Sequence, residues 1–225
     1  MITDYLVSCI YATTMEEFKN QAVKKETGFI EHRLDLLEDL SSYEIDYSVF
    51  SAKTVVTILY KEDGGNFEGS YNDYCALLGK AISYNPTYID ISFQLPKEKR
   101  DALIEVAHEN DIKVIISHHN IHGTPELTEL RNLILEMYST KADVVKYVSQ
   151  ANTLLDCHNI ITLQIETMFP LISFCLGEMG KYTRVVSLLY GAPFTYVAMD
   201  RKVASGQFTY NEFLQLFEKL AWEER

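Results

Sequence analysis

The chain has 225 residues, 47% of them hydrophobic, which is enough for one large domain or two small ones with a well-filled core. Its formal net charge of −12 argues against nucleic acid and anionic membranes as main partners. The four cysteines are widely spaced, no run approaches the ~20 apolar residues of a membrane span, and the N-terminus lacks a signal-peptide pattern, so we expect a cytoplasmic protein.

Runs of β-branched and aromatic residues alternate along the chain with segments of helical spacing. The predicted strands cover residues 5–11, 29–35, 54–60, 88–93, 113–119, 142–148, 171–176 and 194–199. The predicted helices cover residues 14–25, 71–84, 97–110, 126–139, 152–168, 183–190 and the segment from 210 onward, and the segment 36–50 is expected to be helical in part. Thr13 or Thr14 is predicted to cap the first helix, and Thr124 the fourth.

This alternation, with short connections, indicates right-handed crossovers and a parallel sheet. About eight units in 225 residues predict a compact (β/α)₈ TIM barrel, and a doubly wound open sheet is the alternative. Because there is no linker, repeat or low-complexity stretch, we expect a single domain over residues 1–225. In a barrel, the site forms at the carboxyl ends of the strands.

Lys146 stands in the middle of an apolar strand. Burying its charge costs several kcal/mol unless the amine is paired or neutralised. An amine that has lost its proton is a nucleophile able to form a Schiff base with a ketone. The alternative is an edge-strand lysine whose head group reaches water.

Polar residues also occur within other predicted strands. Glu31, Arg33 and Asp35 alternate, which puts them on one face, either as an ion-paired triad that fills the barrel or as ligand-binding groups. His118 and His119 must face opposite sides of their strand, so at most one points inward, as a general base or as a loop anchor.

Two further candidates lie beyond the strand ends. Arg184, at the start of a short helix, is either part of an anion site or a surface residue. Asp63 precedes the pair Gly64-Gly65, which allows a close backbone approach. A metal site built from Asp63, His119 and His122 has no support from spacing.

At these strand ends the sequence resembles the type I 3-dehydroquinate dehydratases, (β/α)₈ enzymes of the shikimate pathway of aromatic amino-acid biosynthesis. The resemblance covers nearly the whole chain and keeps seven motifs in order. They are EHRLD at 31–35, TILYKEDGG at 57–65, YID at 88–90, SHHN with TP at 117–125, DVVK at 143–146, GEMG with TR at 177–184, and ASGQ at 204–207.

The resemblance implies a chemistry for three residues. Lys146 would form a Schiff base with the ketone of 3-dehydroquinate, and the protonated imine would make the neighbouring proton acidic. His119 would take that proton and later help water leave, giving 3-dehydroshikimate. Asp63 stands where the family has a glutamate that orients this histidine. No metal or organic cofactor is then required.

The resemblance also implies substrate contacts and an assembly. Arg184 would hold the substrate carboxylate, and Glu31 and Arg33 would hold ring hydroxyls. Gln207 would close over the site on a mobile loop. The family forms homodimers, and the closing helix over 213–222 has an apolar face, so we expect a homodimer.

The chain departs from the family at several positions where substrate is bound. Leu59 replaces an arginine, Val203 a serine, Ser205 a proline and Ser92 a glutamate, and Asp63 is one methylene shorter than the usual glutamate. Lys61 is near enough in sequence to substitute for the lost cation. Three functions therefore stay open. They are a divergent dehydratase, a weakened or non-catalytic homologue that binds a small molecule, and a Schiff-base lyase for another keto acid.

Overall fold

The computed structural model describes residues 1–24, 26–40, 43–199, 201 and 203–220. The predicted end of the first helix at Lys25, residues 41–42 of the segment 36–50, residues 200 and 202 of the connection before the closing helix, and the closing-helix residues 221–222 lie outside these ranges. None of the described helices is long and apolar enough to cross a membrane.

Eight parallel strands form one sheet. They are β1 (Leu6–Ile10), β2 (Phe29–Arg33), β3 (Lys53–Thr57), β4 (Tyr88–Ser92), β5 (Lys113–Asn120), β6 (Val144–Gln150), β7 (Leu171–Leu176) and β8 (Thr195–Ala198). Their order is β7-β6-β5-β4-β3-β2-β1-β8, and every hydrogen-bonded pair is parallel. β7 and β8 make no ladder with each other in the described residues, but Phe174 and Tyr196 face each other there with ring centroids 6.3 Å apart. The sheet is thus a nearly closed (β/α)₈ barrel, as predicted.

The helices cover the outside of this barrel. They are α1 (Met15–Ala22), α2 (Tyr71–Ile82), α3 (Lys97–Glu109), α4 (Leu127–Tyr138), α5 (Leu154–Glu166), α6 (Thr183–Leu189) and α7 (Tyr210–Lys219). Thr14 caps α1 by accepting a hydrogen bond from the backbone N–H of Glu17, as predicted. The predicted cap at Thr124 is wrong, because α4 begins three residues later and the Thr124 hydroxyl binds Ser149 and the carbonyl of Gln150 instead.

The connection between β2 and β3 differs from the prediction. The described part of segment 36–50 contains short 3₁₀ turns and no α-helix. Aromatic side chains cover the barrel here instead. The ring of Phe18 stacks on His32 at 3.6 Å, and the hydroxyl of Tyr47 hydrogen-bonds both His32 Nδ1 and the hydroxyl of Tyr43. This aromatic cluster buries the surface that a helix covers in the other units.

Three rings close the amino-terminal end of the barrel, and we call them the aromatic floor. Phe29 and Tyr88 are the first residues of β2 and β4, and Phe194 directly precedes β8. Phe194 lies 4.7 Å from Phe29 and 5.7 Å from Tyr88, measured between ring centroids. Because the floor fills the lower barrel with apolar groups, the inward polar side chains collect above it, at the carboxyl ends of the strands.

Candidate active site

A cavity of about 240 Å³ opens at the carboxyl-terminal end of the barrel. This volume lies below the ~300 Å³ lower bound of drug-sized sites, so the cavity suits a small metabolite. Its lining includes every side chain that the sequence analysis assigned to catalysis or substrate binding, namely Glu31, Arg33, Asp63, His119, Lys146, Arg184 and Gln207.

Lys146 points into the barrel from β6 and is only 4% exposed. Its Nζ donates a hydrogen bond of 2.8 Å to Asp90 Oδ2 and lies 4.5 Å from the ring centroid of Tyr196. The alternative of a lysine that reaches water from an edge strand is therefore wrong, since β6 pairs on both sides and the amine is buried. The buried charge is offset by a carboxylate from β4.

His119 and His118 face opposite sides of β5, as the alternation predicted. His118 points outward, where its ring lies 5.8 Å from that of Tyr147. His119 lines the cavity and is buried. Burial lowers the pKa of His119 well below its ordinary value, and the nearby cations Lys146 and Arg33 lower it further. At neutral pH its imidazole is uncharged and can accept a proton.

Asp63 ends a 3₁₀ turn over Lys61–Asp63, and the following Gly64 adopts a left-handed φ of 85°. Burial raises the pKa of the Asp63 carboxyl to about 6, with a contribution from the negative charge of Asp90. Its Oδ1 accepts a hydrogen bond of 2.8 Å from the amide of Gln94. Within the described residues no hydrogen bond joins Asp63 to His119, so the orienting role of Asp63 stays a prediction.

The three residues that were predicted to form a triad on β2 have different partners in the structure. β2 ends at Arg33, and Asp35 lies in the 3₁₀ turn Leu34–Leu36 rather than on the strand. From there Asp35 accepts two hydrogen bonds from the Arg33 guanidinium, of 2.8 and 2.7 Å. Glu31 is not part of this pair, and its carboxylate accepts a hydrogen bond from Thr57. Arg33 is thus held rigidly while it still lines the cavity.

Arg184 is a buried cation at the cavity wall. It is 1% exposed, and its Nε and Nη2 have no hydrogen-bond partner among the described residues. Its guanidinium carbon lies 3.9 Å from the ring centroid of Phe174. Burial lowers the pKa of Arg184 to about 10, which leaves the group charged at neutral pH. The reading of Arg184 as a surface residue is wrong, and the free donors suit a carboxylate.

The segment 203–207 lies over the cavity and contributes Gln207 to its lining. Gln207 is buried, and its side-chain oxygen accepts a hydrogen bond from the backbone of Val203. Gly206 adopts a φ of 71°, and a Cβ there would meet the carbonyl oxygen of Gly177 at 2.2 Å. This close approach seats the segment against the loop that follows β7.

All of the named family departures except Ser92 line the cavity. Leu59 and Val203 line the cavity, together with apolar side chains such as Ile121. Lys61 does not replace the lost arginine, because it points to solvent and pairs with Glu68. One side of the cavity is therefore apolar where the resemblance implies polar contacts.

Sequence reasoning missed Asp90 and Tyr196, which contact the Lys146 amine, and Gln94, which contacts Asp63. Strand alternation alone places Asp90 inward, between Tyr88 and Ser92. Which cation it meets depends on strand neighbours, and Gln94 lies in a loop with no periodic signal.

Comparisons with known proteins agree with this geometry. The family model "Type I 3-dehydroquinase" matches residues 7–221. A 3-dehydroquinate dehydratase from Pyrococcus abyssi is 36% identical over 220 residues, covering 98% of this chain and 100% of the relative. A second, from Thermococcus onnurineus, is 28% identical over 95% of this chain and 97% of its own length.

Solved structures show the same architecture. The type I 3-dehydroquinate dehydratase from Clostridium difficile superposes with a TM-score of 0.88 at 21% identity, covering 96% of this chain and 92% of that one. At such identity the likeness establishes the fold alone. The family match and the Pyrococcus relative establish more: the chain belongs to the type I 3-dehydroquinases, hydro-lyases that act through a Schiff-base lysine.

Proposed function

We propose that this enzyme dehydrates 3-dehydroquinate to 3-dehydroshikimate through an imine on Lys146, with His119 as the base. The observation that carries the assignment is that a buried amine, a neutral histidine and a buried guanidinium line one cavity. Each of these three groups has a distinct task in the reaction.

Binding comes first. The Nε and Nη2 groups of Arg184 provide two donors in the fixed geometry that matches a carboxylate. Arg33, held by Asp35, and Glu31 offer a donor and an acceptor for ring hydroxyls. Gln207 covers the substrate from the segment 203–207. These contacts bring the substrate ketone to the Lys146 amine.

The chemistry follows from the imine. Lys146 adds to the ketone, and loss of water leaves an iminium that withdraws electrons from the neighbouring carbon. The neutral His119 removes a proton from that carbon, and the electron pair moves into an enamine. The enamine expels the β-hydroxyl, which takes the proton from His119 and leaves as water. Hydrolysis of the new iminium releases product and frees Lys146.

The test is covalent trapping. Borohydride added to the enzyme with 3-dehydroquinate should reduce the imine and fix an adduct on Lys146, which peptide mass spectrometry locates. Lys146→Met, which keeps the length and burial of the side chain, should give no adduct. An unmodified Lys146 in folded, active enzyme would contradict the assignment.

We further propose a homodimer, but on a different surface from the predicted one. The apolar face of α7 is covered by its own barrel, since Phe213 and Phe217 are buried against residues such as Leu6. Large apolar side chains are instead exposed on and after α4 and α5, among them Leu135 at 60% and Met168 at 96%. Light scattering should give twice the chain mass, and Met168→Asp should lower it. A monomer at micromolar concentration would refute the proposal.

The location we propose is the cytoplasm. All four cysteines are free, and Cys9 lies unpaired in the cavity lining, which suits a reducing compartment. Fractionation of cells that express a tagged enzyme should recover it with cytoplasmic markers. Recovery from the membrane or the secreted fraction would contradict this location.

A further inference from the structure

Tyr196 carries a buried hydroxyl that has no hydrogen-bond partner. The residue belongs to β8, lines the cavity and is 3% exposed. Within the described part of the chain its hydroxyl makes no hydrogen bond. Because an unpaired buried hydroxyl destabilises the folded chain, a partner that binds from outside would explain why the group is there.

Two buried carboxylates influence this hydroxyl but do not bond it. The carboxylate of Asp90 accepts a hydrogen bond from the Lys146 amine, and that of Glu31 accepts one from Thr57. Burial raises the pKa of the Tyr196 hydroxyl well above its usual value, and the negative charges of Glu31 and Asp90 raise it further. The phenol therefore keeps its proton at neutral pH and is available as a donor.

Tyr196 and Arg184 belong to the same wall of the cavity. The hydroxyl of Thr195, the residue before Tyr196, donates a hydrogen bond of 3.5 Å to the backbone carbonyl of Arg184. The ring centroid of Phe174 lies 3.9 Å from the Arg184 guanidinium carbon and 6.3 Å from the Tyr196 ring centroid. The Nε and Nη2 groups of Arg184 and the hydroxyl of Tyr196 are thus three buried donors on one wall, without partners among the described residues.

A carboxylate suits this set of donors. Its two oxygens offer about four acceptor positions, of which a guanidinium fork fills two. The substrate ketone must meet the Lys146 amine, which lies 4.5 Å from the centroid of the Tyr196 ring. In 3-dehydroquinate one ring carbon separates the ketone carbon from the carbon that bears the carboxylate. A substrate with its ketone at Lys146 therefore brings its carboxylate close to Tyr196.

We propose that Tyr196 is a substrate-binding residue that donates a third hydrogen bond to the carboxylate held by Arg184. This inference rests on the proposed function, since it takes 3-dehydroquinate as the substrate. The hydroxyl compensates in part for Leu59 and Val203, which line the cavity without a side-chain donor. Together the three donors and Lys146 select γ-keto acids, in which two carbons separate the carboxylate from the ketone.

The test removes the hydroxyl and keeps the ring beside Lys146. Tyr196→Phe should raise KM for 3-dehydroquinate about 10–100-fold, the usual effect of losing a hydrogen bond to a charged group. It should leave kcat nearly unchanged, because the carboxylate is bound alike in the ground state and the transition state. An unchanged KM in Tyr196→Phe would overturn the proposal.

Tyr147→Phe is the matched control. Tyr147 is also buried, on β6, but it does not line the cavity. The same atom is removed from the barrel, so the variant reports any general effect of losing a buried hydroxyl. Its KM should equal that of wild type, and a rise as large as that of Tyr196→Phe would contradict a specific contact with the substrate.

A double-mutant cycle with Arg184→Met identifies the group that the hydroxyl binds. If both residues bind one carboxylate, Tyr196→Phe should weaken binding less in Arg184→Met than in wild type, because that carboxylate is no longer held in place. Independent, multiplicative losses would place the hydroxyl on another group of the substrate and overturn the proposal.

The same cycle is measured by calorimetry with the alcohol that results from reducing the ketone of 3-dehydroquinate. This ligand keeps the carboxylate but cannot form an imine, so its Kd reports binding without chemistry. A wild-type enzyme that gives no borohydride adduct with 3-dehydroquinate would refute the imine at Lys146. The calorimetric cycle would still decide whether Tyr196 and Arg184 share a carboxylate.

Discussion

The guanidinium of Arg184 lies 3.9 Å from the ring centroid of Phe174, buried and with two nitrogen donors unpaired in the described structure. An aromatic face stabilises a cation but supplies no acceptor for its N–H groups. The folded enzyme therefore carries an unsatisfied charge that a bound carboxylate would satisfy.

Replacing Arg184 should make the enzyme more stable but weaken its binding of substrate. Arg184→Met removes a desolvated charge and keeps an apolar chain on Phe174, so the free energy of unfolding should rise by about 1–3 kcal/mol. The loss of charge-assisted hydrogen bonds should raise KM for 3-dehydroquinate about 10–100-fold. Urea denaturation and steady-state kinetics measure the two effects. Arg100→Met is the control, since Arg100 is also buried but binds the carbonyl of Phe93 away from the cavity, and its KM should not change.

Asp63 should make stability depend on pH. Its folded pKa, raised to about 6, exceeds the unfolded value of about 3.9, so folding favours the protonated form. The resulting stabilisation is complete below pH ~4 and is lost as the pH rises through about 6. Asp63→Asn should therefore be more stable than wild type by roughly 1–2 kcal/mol at pH 8 and gain little at pH 4. Equal gains at both values would contradict the raised pKa.

Breaking the ion pair that holds Arg33 should be costly. Asp35→Ala leaves a buried guanidinium without its two acceptors, and the free energy of unfolding should fall by about 3–5 kcal/mol in urea titration. Glu68→Gln is the matched control, because it breaks the exposed pair with Lys61 and should cause no measurable change. Similar losses in the two variants would show that burial does not matter here.

The apolar side of the cavity should limit substrate affinity. Leu59→Arg combined with Val203→Ser restores the polar groups that the family has at these positions, and KM for 3-dehydroquinate should fall about tenfold. A panel of keto acids with fewer hydroxyls, assayed on wild type, provides the comparison. Better turnover of such an analogue than of 3-dehydroquinate would favour the different-substrate alternative.

Local sequence signals predicted the fold well. The strand over 171–176 has the observed bounds, and the predicted strands around Cys9 and Lys146 begin or end within two residues of β1 and β6. Eight such strands with short connections leave few topologies other than a barrel. The prediction of a partly helical segment over 36–50 was wrong because aromatic packing, which has no fixed period, covers the barrel there.

The sequence motifs predicted which residues form the site, but they did not predict which of its side chains pair with one another. Their positions at strand ends and at a helix start made Lys146, His119 and Arg184 candidates, the resemblance gave each a role, and the structure brings them to one cavity. The partner of Lys146 is 56 residues away in sequence, on β4, and only the strand order brings it close. Likewise, the apolar pattern of α7 could not reveal that its own barrel covers that face.

The aromatic floor closes the barrel at its amino-terminal end, so the cavity opens at the carboxyl-terminal end. Substrate, product and the one water molecule that the reaction releases overall must pass the segment 203–207, since Phe29, Tyr88 and Phe194 close the other end. Substrate and product must therefore enter and leave one after the other, because nothing can enter behind a bound substrate. Imine formation and dehydration each release a water molecule into this cavity, and the hydrolysis that ends the cycle consumes one there.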